Sequence, residues 1–229
     1  METDEGTRPR PRIESLSDLV FGLALSIGAF ALVSNPPISD HDFYYDVGTF
    51  AFNFIVLISI WLRYTRIMSV LPVETRGTML LNGVLLFTVA LEPFIFNILR
   101  TTKPIDPSST ALYEAASSFF GLDVGAMMLI MSVFTLALAG EENRLVPKSM
   151  LRQLREEAAT WGVAAGLFLI SAVPVFGRID VGEVAISGLS LRYLLWIIAI
   201  VFSWVRSGIR ESIGTSQAPS LARTIRRFA

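Results

Sequence analysis

Six long apolar blocks divide this chain, and very few charged residues interrupt them. The blocks cover residues 16–34, 47–68, 77–99, 115–140, 158–176 and 184–205. A helix of about 20 apolar residues spans the hydrocarbon core of a bilayer, and each block has roughly that length. Membrane-spanning strands would instead show ten-residue alternating patterns, and lipid leaves only helices or closed barrels as spanning structures. The sequence therefore predicts an all-α membrane protein, a single domain of six transmembrane helices.

The composition agrees with this fold class and narrows the chemistry. Hydrophobic residues make up 52% of the chain and charged residues 17%, whereas soluble domains carry about 25% charged residues. A net charge of −1 gives no reason to expect nucleic acid as a partner. With no cysteine and only His41 as a histidine, we expect no metal centre and no cofactor. No carboxylate pair or nucleophile with a nearby base stands out, so we do not expect an enzyme.

The positive charges predict how the helices are oriented. Of the 19 Lys and Arg residues, only Arg100, Lys103 and Arg178 lie in the loops on one side, and Arg192 lies within a span. The others lie in the termini and in the inner segments of the opposite side, which include the end of the second block. Cytoplasmic loops carry the excess of Lys and Arg, so we expect both termini in the cytoplasm, with residues 206–229 as a short basic cytoplasmic tail. The acidic start and Asp18 also predict that the first block is a retained span.

Ionisable residues deep inside the spans are costly and are functional candidates. The candidates are Asp18, Glu92, Asp123 and Arg192. One reading is structural: Asp123 and Arg192 can pair and lock two helices together. Glu92 precedes Pro93 near the predicted outer end, where we expect its carboxylate to reach water.

The first helix combines an apolar stripe with a polar residue on its far side. Leu23, Ile27 and Phe30 follow an i, i+4, i+7 spacing and share one face. Ser26 lies at the flank of this face. Asp18 lies about 140° around the helix from Leu23, and we expect it to point into neighbouring helices. By periodicity alone, the stripe either packs against lipid or lines a functional surface.

The start of this helix resembles a known signature. Arg12 followed by Leu16-Ser17-Asp18 is similar to the Arg-x-x-x-Phe-Ser-Asp motif of the transmembrane protein 175 family of lysosomal and bacterial potassium channels. The resemblance continues over residues 12–100 and rests beyond them on the six-span plan. Later positions that agree with the family are Trp61, Asn82, Pro93 and Phe94.

This resemblance implies a homotetramer with the first helix of each copy around a central potassium-permeable pore. Rings of Leu23, Ile27 and Phe30 would then form a hydrophobic constriction. Ser26 falls where bacterial members often carry a threonine linked to potassium preference. Ser17 and Asp18 would brace the pore helix against the second and third helices. The predicted helix-locking set is Arg12, Ser17, Asp18, Trp61, Tyr64 and Asn82.

The sequence also departs from the family pattern. Leu16 replaces the signature phenylalanine, and Tyr64 occupies a second-helix position that is often histidine. A third-helix tryptophan is missing, so we expect the polar lock to use Tyr64, Arg63 or Asn82. Phe30 is bulkier than the usual aliphatic residue, which predicts a narrower pore or a gate at that level.

Three functions follow from these observations. The first is a potassium-permeable channel in the cell membrane, with K⁺ as the permeant ion and the lipid bilayer and other copies of the chain as partners. The second is a secondary or proton-coupled transporter that uses Asp18, Asp123 and Arg192, although transporters are often built from internal repeats and none is evident. The third is a membrane enzyme or a structural partner protein.

Overall fold

The computed structural model describes residues 12–34, 36–71, 75–102, 110–140, 146, 148–179 and 190–217. The regular elements of these residues are helices. In chain order they are α1 (Arg12–Ser34), α2 (Asp40–Met68), α3 (Arg76–Thr101), α4 (Thr110–Leu138), α5 (Lys148–Ser171), α6 (Pro174–Arg178) and α7 (Leu191–Gln217). The all-α membrane fold predicted from the sequence is therefore present.

Local sequence signals explain several helix ends. The hydroxyl of Ser39 accepts a hydrogen bond of 3.2 Å from the backbone N–H of Asp42 and caps α2. Thr75 caps α3 in the same way through the N–H of Thr78, also at 3.2 Å. Such caps satisfy backbone donors that the first helical turn leaves free. Pro174 begins α6, where the missing N–H of proline costs nothing, and it separates α6 from α5.

Four helices, α1 to α4, are long and apolar enough to cross a membrane. The first part of α5 is charged, and its apolar part, residues 158–171, is about 21 Å long. The apolar part of α7 runs from Leu191 to Val205 before Arg206, which is a similar length and shorter than the roughly 30 Å hydrocarbon core. Six spans with both termini on one side remain a prediction.

Two predicted segments overlap only partly with the described residues. The basic segment 206–229 is not separate from the last helix, because α7 continues to Gln217; residues 218–229 lie outside the described part of the chain. Arg12 is the first residue of α1, and its side chain is also outside what the structure describes.

Polar contacts between helix ends show that α1, α2 and α3 run alternately up and down. At one end of the bundle, the N-terminal end, Ser17 near the start of α1 contacts Tyr64 near the end of α2. At the opposite end, the far end, Arg100 of α3 pairs with Asp46 near the start of α2. Short connections between consecutive helices favour this antiparallel arrangement.

The helix α4 lies at the centre and packs against α3 and α5. Its residues Val124, Met127 and Met131 have no exposed surface. Gly121 and Gly125 allow α5 to approach closely, because a Cβ at Gly125 would lie 2.8 Å from the Leu169 side chain. Small residues four positions apart are a common device for close helix packing in membranes.

Candidate functional site: the first helix and its polar anchors

The helix α1 has a narrow buried face. Ser17, Phe21 and Ala24 are almost fully buried there, and Gly28 follows on the same side. These positions repeat at i, i+4 and i+7, as expected for one face of a helix. Three of the four side chains are small or polar, so α1 buries little apolar area against its own bundle.

The opposite face of α1 is an exposed apolar stripe. It consists of Leu16, Leu19, Leu23, Ile27, Phe30 and Val33, whose side chains are between 51% and 76% exposed in the single chain. The predicted constriction residues Leu23, Ile27 and Phe30 all belong to this stripe. Ser26 is exposed beside it, and its hydroxyl donates a hydrogen bond of 2.8 Å to the backbone oxygen of Gly22. The stripe is therefore free to contact lipid, water or another copy of the chain.

A chain of three hydroxyl and amide groups ties α1 to α2 and α3 near the N-terminal end. The hydroxyl oxygens of Ser17 and Tyr64 lie 2.7 Å apart. Tyr64 donates its hydroxyl proton to Asn82 Oδ1 at 2.9 Å. A phenol carries only one proton, so Ser17 is the donor to Tyr64. The three residues are buried.

A second bond joins the same helices one residue further along α1. The indole N–H of Trp61 donates to Asp18 Oδ1 at 3.1 Å, so the carboxylate points toward α2. Phe21 also packs against the ring of Tyr64, with 5.7 Å between the ring centroids. The structure thus brings together five members of the predicted helix-locking set: Ser17, Asp18, Trp61, Tyr64 and Asn82.

Arg63 lies next to this group in sequence, and its bonds run to other helices. It forms an ion pair with Glu157 of α5, and it donates to Thr135 Oγ1 of α4 at 3.2 Å. The side chain is only 6% exposed. Of the three residues expected to complete the lock, Tyr64 and Asn82 join α1 to its neighbours, whereas Arg63 ties α2 to α4 and α5.

Arg100 anchors the far end of α1, which the sequence did not indicate. Its Nη1 donates to Asp46 Oδ2 at 3.0 Å, and its Nη2 donates to the backbone oxygen of Ala31 at 2.8 Å. The position of Arg100 just after the third apolar block predicts an exposed loop charge, but its side chain is 3% exposed. A guanidinium presents several donors in a fixed plane, so one side chain can hold three helices together.

The predicted pairing of Asp123 with Arg192 is wrong. Arg192 of α7 forms an ion pair with Glu114 Oε2 at 3.3 Å, contacts the hydroxyl of Ser117 and donates to the backbone oxygen of Ser171 at 2.9 Å. Glu114 precedes Asp123 by nine positions on α4, which is about 13 Å along the helix axis. Arg192 therefore joins α4, α5 and α7 at the far end, away from Asp123.

The expectation that Glu92 reaches water is also wrong. Its side chain is completely buried, because α3 continues through Pro93 to Thr101 and keeps Glu92 well inside the bundle. Proline inside a helix normally interrupts one backbone bond, and neighbouring helices make this tolerable in membranes. The position of a proline was therefore a poor guide to the end of this helix.

The first three helices match a known protein family. A family model described as endosomal/lysosomal potassium channel TMEM175 matches residues 12–93, which comprise α1, α2 and α3 as far as Pro93. The resemblance predicted from the sequence is therefore confirmed. No curated protein matches the chain.

Two solved structures share the fold over most of the chain. One is a lysosomal potassium-selective channel TMEM175 homolog from Chamaesiphon Minutus, with 21% identity and a TM-score of 0.52, covering 84% of this chain and 95% of that one. The other is a variant of the potassium channel MtTMEM175 in complex with a Nanobody-MBP fusion protein, with 18% identity and a TM-score of 0.58, covering 93% of this chain and 99% of that one. The shared fold therefore extends beyond the residues that match the family model.

Proposed function

We propose that this chain, whose first three helices match the transmembrane protein 175 family, is a potassium-permeable cation channel. Four copies assemble so that their α1 helices surround a central pore. The observation that carries the proposal is the exposed apolar stripe of α1, which lies opposite a face held by buried polar bonds. A helix that only faced lipid would not need such specific anchors on its other side.

The anchors support this arrangement because they fix which side of α1 is turned outward. Tyr64 and Trp61 hold the start of the helix through Ser17 and Asp18. Arg100 holds it near its end through the backbone oxygen of Ala31. In the tetramer the stripe then faces the shared axis, and Leu23 and Ile27 lie between the two anchored regions.

The constriction acts through its apolar surface. Rings of Leu23, Ile27 and Phe30 form a hydrophobic neck, which water leaves readily and which can gate by dewetting. A cation must shed part of its hydration shell to pass, so weakly hydrated K⁺ is favoured over Na⁺. Ser26 supplies a hydroxyl oxygen beside the neck, although its proton is used by the Gly22 backbone oxygen.

Ion flux in proteoliposomes tests this function. Leu23→Ala and Ile27→Ala widen the neck and lower the barrier, and we expect the K⁺ flux to rise on the order of tenfold, which corresponds to about 1.4 kcal/mol of barrier. Ile197→Ala is the matched control, because Ile197 lies on α7 and is 45% exposed against 54% for Ile27. If all three variants conduct like the unmodified protein, α1 does not line the pathway.

The same assay separates a channel from the transporter alternative. A transporter would give a saturating flux that needs a proton gradient and disappears in Asp123→Asn. The geometry offers little support for it, because Asp18 bonds to Trp61 and Arg192 bonds to Glu114. The mass of the solubilised protein is a further check, since a strict monomer cannot form this pore.

Both termini lie in the cytoplasm of a cell-membrane protein in this proposal. The support is the excess of Lys and Arg in the termini and the loops on that side. An epitope tag at the C-terminus should bind antibody only after the cells are permeabilised. Antibody binding to intact cells would show that the C-terminus lies outside the cell.

A further inference from the structure

Three oxygen-bearing side chains come together inside the bundle, away from α1. Asn53 of α2 is 3% exposed, Glu92 of α3 is 0% exposed and Asp123 of α4 is 6% exposed. The side chain of Asn53 is close to the Glu92 carboxyl, and Asp123 lies within the range of a charge interaction with it. The Asn53–Glu92–Asp123 cluster therefore connects three neighbouring helices in a region that is shielded from water.

The cluster contains acceptor oxygens without donors. Asn53 Oδ1, both carboxyl oxygens of Glu92 and Asp123 Oδ2 are buried, and none of them has a hydrogen bond of good geometry to the described residues. The Asn53 amide is close to the Glu92 carboxyl but is not aligned for such a bond. Buried polar groups normally find partners, and an unpaired acceptor costs free energy. Two ionised carboxylates here would add mutual repulsion to the large cost of a buried charge.

The charged groups nearest to the cluster along the surrounding helices are engaged elsewhere. Toward the far end, Asp46 of α2 pairs with Arg100 of α3, and Glu114 of α4 pairs with Arg192 of α7. Toward the N-terminal end, Arg63 of α2 pairs with Glu157 of α5, and Asp18 of α1 accepts from Trp61. The tyrosines nearest in sequence on these helices are Tyr45 and Tyr113.

We propose that the Asn53–Glu92–Asp123 cluster is a proton-binding site. A proton on the Glu92 carboxyl converts one acceptor oxygen into an O–H donor, which can bond to Asn53 Oδ1. It also lowers the charge of the two acids from −2 to −1, and a second proton on Asp123 lowers it to zero. The proton thus supplies the missing donor and removes the repulsion in one step.

A metal cation suits the cluster less well. No group of three or more His, Cys, Asp or Glu side chains that could hold a metal occurs in the described residues. Hard cations such as Ca²⁺ take six to eight oxygen ligands, whereas this cluster offers the oxygens of three side chains. A proton needs only one donor position and one acceptor.

Infrared spectroscopy of the full-length protein in neutral buffer tests this site without measuring ion flux, so its result does not depend on the proposed function. A protonated carboxyl gives a C=O stretching band that carboxylates lack. We expect this band in the unmodified protein and its loss or clear shift in Glu92→Gln, which keeps the side-chain shape. Glu156→Gln is the control and should retain the band, because Glu156 is 45% exposed and pairs with Arg152 at the surface.

Two results would overturn the proposal: a missing band in the unmodified protein at neutral pH, or a band that is unchanged in both Glu92→Gln and Asp123→Asn. Titration of the unmodified protein keeps the test decisive if the variants do not fold. The band should disappear as the pH rises, and it should not respond to K⁺, Na⁺ or Ca²⁺ at fixed pH. A loss of the band on addition of one of these cations would instead identify a metal site.

Discussion

Replacing Tyr64 by phenylalanine removes the hydroxyl that connects α1 to α3 and leaves the ring in place. The ring is 1% exposed and packs against Phe21, so Tyr64→Phe should preserve the apolar contacts. The variant loses the bond from Ser17 and the bond to Asn82 Oδ1. Interhelical hydrogen bonds in membrane proteins contribute about 0.6 kcal/mol on average and up to about 1.7. Two lost bonds should therefore destabilise the protein by roughly 1 to 3 kcal/mol.

Reversible unfolding in mixed micelles measures this change. Tyr113→Phe is the matched control. Tyr113 is also buried, on α4, and its hydroxyl makes no hydrogen bond to the described residues. We expect the control to change the free energy of unfolding by less than about 0.5 kcal/mol, the usual range for substitutions that remove no specific contact.

A double-mutant cycle isolates the bond itself. If the Ser17–Tyr64 bond contributes as proposed, Ser17→Ala costs less in the Tyr64→Phe background than in the unmodified protein, by about 0.5 kcal/mol or more. Strictly additive effects of the two substitutions would refute the reasoning, because they would show that the two hydroxyls do not stabilise each other.

Two further predictions concern other contacts of the bundle. Gly125→Ala places a methyl group 2.8 Å from Leu169, whereas Gly166→Ala meets nothing within 4 Å. Both substitutions gain helix propensity, so the clash should make the Gly125→Ala variant less stable than the Gly166→Ala variant by about 1–3 kcal/mol in the same unfolding assay. Equal stability of the two variants would contradict the close α4–α5 contact. Arg100→Gln leaves Asp46 buried without its cation, and we expect a loss of about 3 kcal/mol or more. Adding Asp46→Asn should recover part of that loss in thermal unfolding, and no recovery would mean that the pair is not the main role of Arg100.

The sequence predicted the parts of this structure that depend on local pattern. The apolar blocks identified the long helices because hydropathy over about 20 residues is a local property. The resemblance to a known family led to Ser17, Tyr64 and Asn82, and the structure shows Tyr64 hydrogen-bonded to both of the others. The periodicity of Leu23 and Ile27 identified the exposed face of α1 because a helix has a fixed rotation per residue.

Contacts between distant segments could not be predicted in this way. The sequence places Arg63 and Arg100 near the ends of apolar blocks and predicts exposed charges, yet each is buried in an ion pair with a residue far away in sequence. Nothing close to Arg100 in the sequence identifies Asp46 as its partner. The choice of partner depends on how the helices pack. Arg63 is one of the 15 positive residues that support the predicted orientation. Its ion pair with Glu157 is a separate reason for a positive charge at that position.

The close contact of α4 with α5 has a signal in the sequence. Gly121 and Gly125 are four positions apart in an apolar helix, the spacing of small residues at close helix contacts. A Cβ at Gly121 would lie 3.0 Å from the backbone oxygen of Phe168. The spacing indicates that a helix approaches closely, but it does not say which helix, and the structure identifies α5.

The position of α1 depends on polar bonds more than on apolar packing. Lipid tails are as apolar as the side chains, so burial in the bundle gives α1 little preference over lipid. The helix is instead held at Ser17 and at Ala31, which are about 21 Å apart along its axis. A helix anchored at one point can rotate or tilt about that point, whereas two anchors also fix its rotation. Loss of the Tyr64 bonds or of Arg100 should therefore each allow Leu23 and Ile27 to turn away from the axis that we propose they line.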